Sequence, residues 1–87
     1  MKNKILKEID SFSALLCTFG KVNAAEGVKT FFIDIVNKTW DSNKDDETNL
    51  KAVKSSFNFN KALNTFNNNS DIVTCIDIFM SDYLNEL

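Results

Sequence analysis

Only three groups in this chain have residue types and spacing that could do chemistry: two cysteines, a run of carboxylates after Trp40, and an acidic C-terminal segment. A thiol becomes a nucleophile beside a base or in an electropositive setting. The chain contains no His and no Arg, which removes the usual general base, the commonest metal ligand and the bidentate anion clamp together. Cys17 and Cys75 are far apart, their spacing fits no metal site, and both are expected as buried free thiols rather than as a disulfide.

The carboxylates invite a calcium test. Asp41, Asn43 and Asp45 match the first three ligand positions of an EF-hand loop, but Asp46 stands where the motif needs Gly and Ala52 where it needs a bidentate Glu. Helix capping explains the same acids, because Asp45, Asp46 and Glu47 crowd a first turn where the helix dipole favours negative charge. Carboxylates alone catalyse as a close pair, and no such pair stands out. The expectation is a non-enzyme with no metal and no cofactor.

Nucleic-acid binding calls for clustered base with aromatic interleaving. All ten basic residues are Lys, scattered from Lys2 to Lys61 and mostly beside an acid. Residues 1–61 carry ten Lys against eight acids, whereas residues 62–87 carry four acids and no base. On a helix through that last segment, Asp71, Ile78, Asp82 and Glu86 fall on one stripe, with Cys75 between them. An apolar residue inside an acidic rim suits a contact that a basic partner is steered onto. The stripe and the loop acids Asp41, Asp45, Asp46 and Glu47 are the candidate partner-binding residues. The competing reading makes the stripe a solvated face, with Ile78 touching a neighbouring helix.

The elements that must position these groups are helical. There is no Pro, and Gly occurs only twice, so little interrupts a helix. Ile5, Ile9, Phe12, Leu16 and Phe19 share one face of a helix over about residues 3–19, and Gly20 supplies a left-handed stop. Asn23 and Glu26 resemble a capping box opening a second helix over 24–40. There Val28, Phe31, Phe32, Ile33, Ile35, Val36 and Trp40 cover so wide an arc that the helix must be central. Asp34 and Lys38 should pair on its outer side, and Glu47 with Lys51 on the next helix.

A third helix is expected over 45–56, with Ser42 and Asp45 as a capping pair. Its apolar pattern slips, so a break near Phe57 and Asn58 should give a short fourth helix over 59–66. Asn67, Asn68, Asn69 and Ser70 make a turn and cap. The last helix spans 71–87, with Ile72, Val73, Ile76, Phe79, Met80, Tyr83, Leu84 and Leu87 on a broad apolar face. Phe12, Phe19, Phe31, Phe32, Phe66 and Phe79 should form the core, and Trp40 should be a lid over it.

The fold class is therefore all-α: a single compact bundle of four to five helices spanning 1–87. Met1 reads as a native start, and the longest uncharged stretch near it, Ser11 to Gly20, is far short of the roughly 20 residues that span a bilayer. A cytoplasmic chain without a membrane role is expected. The abundance of Lys, Asn, Phe and Ile suggests an AT-rich gene, as in phages, plasmids and low-GC bacteria.

These features imply a non-enzymatic inhibitor of the mobile-element kind, like toxin-immunity or phage anti-defence proteins in size and character only. Its acidic surface would occupy a basic site on a protein target. One alternative is a self-associating scaffold, a homodimer formed through the wide apolar arc of the second helix. Another is a helix-turn-helix DNA regulator built from the third and fourth helices, although residues 58–69 carry a single Lys.

Overall fold

Along the chain run α1 (Lys2–Thr18), α2 (Val22–Thr39), α3 (Asp46–Ser55), α4 (Phe59–Thr65) and α5 (Ser70–Ile78), the last continued by a π-helical segment (Phe79–Leu84). The computed structural model describes residues 1–57, 59–66 and 69–86, with the backbone alone at residue 59. Asn58, Asn67, Asn68 and Leu87, on which parts of the expected break, turn and final apolar face fall, lie outside the described residues, as does the side chain of Phe59. The all-α bundle is as expected, and no strand occurs among the described residues.

The stop after α1 forms as the sequence predicts. Gly20 adopts φ 77°, the left-handed conformation that a side chain disfavours. The Gly20 N–H donates to the Cys17 carbonyl and the Lys21 N–H to the Leu16 carbonyl, both at 2.9 Å. That pair of bonds is a Schellman motif. It runs straight into α2, which starts at Val22 instead of after Asn23, so the expected capping box does not form. No side chain caps this end.

The two helices pack as an antiparallel hairpin. The Ser13 hydroxyl donates to the Ala25 carbonyl across the interface (3.1 Å), and Lys29 pairs with Asp10 (3.3 Å) further along. α5 lies against α2, and the π segment that continues it reaches α1. Ile72 of α5 meets α2 at Gly27, where an added Cβ would come within 2.9 Å of the Ile72 Cγ2. Phe79 then meets Phe32, with ring centroids 4.7 Å apart. Both contacts advance together along the two chains, so α5 runs parallel to α2 and antiparallel to α1.

Phe79 is the centre of the core. It is fully buried and touches Phe12 of α1 (5.3 Å) and Tyr83 (5.7 Å, stacked) as well as Phe32. Such ring pairs add about 0.5–1.5 kcal/mol each beyond the area they bury. The chain of rings continues through Phe31 to Phe66 and Phe57, which fastens α4 and the end of α3 to α2. Of the wide apolar arc of α2, Val28, Phe31, Phe32 and Val36 are buried in its own chain, and Ile33 and Ile35 pack partly buried against them. Trp40 packs against the same cluster, as a lid would.

The α-helix expected over 71–87 ends at Ile78, after which the winding widens. The Asn85 N–H donates to the Met80 carbonyl, a bond across five residues (3.1 Å). In α-helical winding Leu84 would turn well past Phe79. The wider turn brings it back to Phe79's side, where it is 1% exposed. Helix α5 is capped by Asn69, whose Oδ1 accepts from the Asp71 and Ile72 N–H groups, not by Ser70.

Candidate protein-binding surface

The loop between α2 and α3 is built around Asn49, a buried residue that composition and periodicity pass over. Its Oδ1 accepts from the Asp41 N–H (2.9 Å), and its Nδ2 donates to the carbonyls of Asp41 (2.8 Å) and Lys44 (3.3 Å). One side chain therefore satisfies three loop backbone groups. The loop acids have local tasks around this clamp. The Asp41 carboxylate accepts from the Asn43 N–H, an Asx turn.

Asp45 is the N-cap of α3, accepting from the Thr48 N–H (2.8 Å). Hydrogen bonding from Thr48 holds its carboxyl below the ordinary value of 3.8. The expected Ser42 capping role is not formed. Asp46 lies 3.9 Å from the amino terminus, and Glu47 pairs with Lys51 at 3.5 Å. Asp34 and Lys38 likewise pair at 3.0 Å, as their spacing predicts.

The acids of the last segment are arranged differently. Asp71, Asp77, Asp82 and Glu86 are all exposed. Among the described residues none of the four is in an ion pair, and no hydrogen bond or ion pair joins them to the 41–49 loop. Ile78 sits among them and is 40% exposed, so the stripe Asp71–Ile78–Asp82 faces outward. The structure separates the predicted residues into two groups: loop acids engaged in capping and pairing, and exposed segment acids in no ion pair among the described residues.

Cys75 does not belong to the outward stripe. It is 6% exposed and packs in the core. Burial is the main reason its thiol is pushed up; Lys21 works against that shift and Asp71 with it. Cys17 is exposed, against the expectation of two buried thiols, and both cysteines are free.

Sequence reasoning missed the apolar cluster at the α1–α2 turn. Phe19 was expected in the core, yet it is 70% exposed. It continues the spacing of the α1 face but caps the end of the helix, where no neighbouring element reaches over it. Leu15, one turn earlier, and Val22, just past the turn, are exposed as well. The signal was available: three large apolar residues bracket a Gly turn, where solvated polar residues are the norm.

Two surface depressions flank these features. One, about 360 Å³, lies between the α1–α2 turn and the start of α5, lined by Gly20, Lys21, Val22, Asn23, Ala24, Asn69, Asp71 and Ile72. The other, about 210 Å³, has an apolar floor of Phe31, Ile35 and Phe66 under Thr30, Asp34, Ser56, Lys61 and Thr65. Neither brings a thiol or a close carboxylate pair together with a base. Among the described residues no three His, Cys, Asp or Glu side chains are placed to hold a metal ion, and no helix is long and apolar enough to cross a membrane. No protein-family model matches the chain, and no curated protein or solved structure matches it either.

Proposed function

We propose that this chain is a non-enzymatic protein-binding inhibitor acting in the cytoplasm, of the kind that mobile elements carry as immunity or anti-defence proteins. One observation carries the reading: Ile78 is exposed among acids that have no ionic partner among the described residues. An apolar anchor with a charged rim provides both affinity and steering, and the charge sets the approach rate more than the final strength. Small size and an AT-rich composition support the mobile-element origin. With a formal charge of only −2, the surface suits a basic site on a protein better than imitation of DNA.

The self-association alternative rested on the apolar arc of α2. Val28, Phe31, Phe32 and Val36 of that arc are buried within the chain, which leaves less of it for a second copy to cover. The helix-turn-helix alternative draws no support from α4, a helix of seven residues (Phe59–Thr65) with one Lys.

The test is affinity capture from the source organism, using the parent chain and a bait carrying Asp71→Lys, Asp82→Lys and Ile78→Ser. A target retained by the parent and lost from the variant supports the reading, provided that the variant unfolds at the parent's temperature. Its association rate should fall as salt rises. A target held equally by both baits, or an association rate indifferent to salt, overturns the acidic-surface reading. Ile78→Ala alone should cost the fold less than about 2 kcal/mol, since a core residue would cost more.

A further inference from the structure

We propose that the partner's contact is a lysine- or arginine-rich amphipathic helix, seated on the outer face of the seam where α1 meets the end of α5 and its π segment. The proposal rests on the inhibitor reading and deepens it by naming the face and the chemistry of its occupant. The face follows from helix directions.

On α1, Phe12 points at the π segment that continues α5, with ring centroids 5.3 Å from Phe79 and 4.9 Å from Tyr83. Ser13, the next residue round the helix, points at α2 through its bond to Ala25. Leu15 and Phe19, one turn apart, lie on the side of Phe12 away from Ser13. They therefore flank the Phe12 contact on its solvent side.

The same construction holds on α5. Ile72 faces α2 at Gly27, whereas Tyr83 turns toward α1. Ile78 lies beyond that direction, on the side away from α2. Leu15 (42% exposed), Phe19 (70%) and Ile78 (40%) thus look out from two antiparallel helices onto one shallow face. Exposed apolar side chains gathered on one face, rimmed by polar residues, mark interaction surfaces, unlike scattered single ones.

Charge chooses the occupant. Asp71 and Asp82 border the face from α5 and its π segment, and residues 62–87 contain no base. A helix with an apolar stripe fits between the two walls and sets its basic flanks against these acids.

The probe is a Leu/Lys peptide patterned as an amphipathic helix, titrated into the isotope-labelled full chain and followed by amide NMR shifts. Two controls accompany it: the same pattern with Glu for Lys, and a scramble of the Leu/Lys peptide. The expected result is saturable shifts at Leu15, Phe19 and Ile78 with the first peptide only. Binding should weaken about tenfold with Phe19→Ser and weaken further as salt is added. Leu15→Ser serves as a second variant, and both should leave the unfolding temperature near the parent's, because these side chains are exposed.

Shifts confined to the 41–47 loop overturn the proposal, as do equal binding of the scramble, indifference to both serine variants, or no binding at all. Concentration-dependent shifts at the same residues without peptide overturn it in favour of a second copy. The two readings fail separately. A target captured by the parent, lost from the charge-reversed bait, yet retained by a Phe19→Ser bait leaves the inhibitor standing and removes the seam.

Discussion

Replacing Asn49 with Ala should unfold this domain more readily than any other polar-to-alanine change in the α2–α3 loop. Asn49 is 1% exposed and makes three hydrogen bonds, two of them short, to the backbone of Asp41 and Lys44. Each good bond is worth about 1 kcal/mol net, and the partners left behind are partly desolvated, so the loss should be about 2–3 kcal/mol. A domain of this length has about 4–13 kcal/mol in all. The variant should melt about 10–20 °C below the parent by circular dichroism.

Asn49→Asp is the sharper companion. It keeps the acceptor for the Asp41 N–H but turns a negative oxygen toward two carbonyls. At neutral pH it should be less stable than Asn49→Ala. Burial and the carbonyls raise that carboxyl's folded pKa, so the deficit is present at neutral pH and shrinks as pH falls and the group gains a proton. Loss of less than about 0.5 kcal/mol in the alanine variant, or equal stability of the two variants at neutral pH, would refute Asn49 as the loop's clamp.

Gly27→Ala should destabilise the protein by about 1 kcal/mol in urea unfolding, although the same change in a free helix gains up to about that much. The new Cβ would meet the Ile72 Cγ2 at 2.9 Å and the Phe66 ring at 3.3 Å, and the stiff β-branched Ile72 gives way poorly; a stabilised variant would contradict the close α2–α5 approach. In native buffer a thiol reagent should modify Cys17 quickly and Cys75 only at the rate of unfolding, and equal rates would contradict the burial of Cys75. Asp45→Ala should destabilise α3, whereas Asp45→Asn should keep the cap. Because the folded pKa of Asp45 is depressed, its contribution is full above 3.8 and fades as pH falls below that value. Acid unfolding of the parent should therefore be steeper than that of the Asn variant.

Much of the helical framework was legible because it depends on local rules. The 3.6-residue spacing of Ile5, Ile9, Phe12 and Leu16, the Gly20 stop, the acids opening α3 and the end of α3 before Phe57 each follow from a few neighbouring residues. Helix starts were less legible. Asn23 and Ser70 have good capping chemistry, but the Schellman turn delivers the chain into α2 at Val22, and Asn69 reaches the first N–H groups of α5. A cap is decided by where the chain arrives, which residue identity alone does not state.

The candidate surface was only half legible. Asp71, Ile78 and Asp82 share a stripe on any helix, and the structure keeps them outside. Phe19 obeys the spacing of a core residue and is nonetheless exposed, because burial needs a neighbour as well as a direction. Leu15 and Val22 join it for the same reason. Cys75 shows the converse: it lies close to the exposed stripe on the wheel, yet the packing of α5 takes it into the core.

The missing His and Arg, the all-α class and the acid-only C-terminal segment were determined by the amino-acid sequence, since composition and short-range periodicity require no partner. Tertiary packing decided the rest. It gave Asn49 the loop's backbone to hold, widened the last helix so that Leu84 could return to Phe79, and left Leu15, Phe19 and Ile78 exposed. The physical reason is that hydrogen bonding and helical winding are satisfied among near neighbours, whereas burial is settled only when distant segments compete for the same interior.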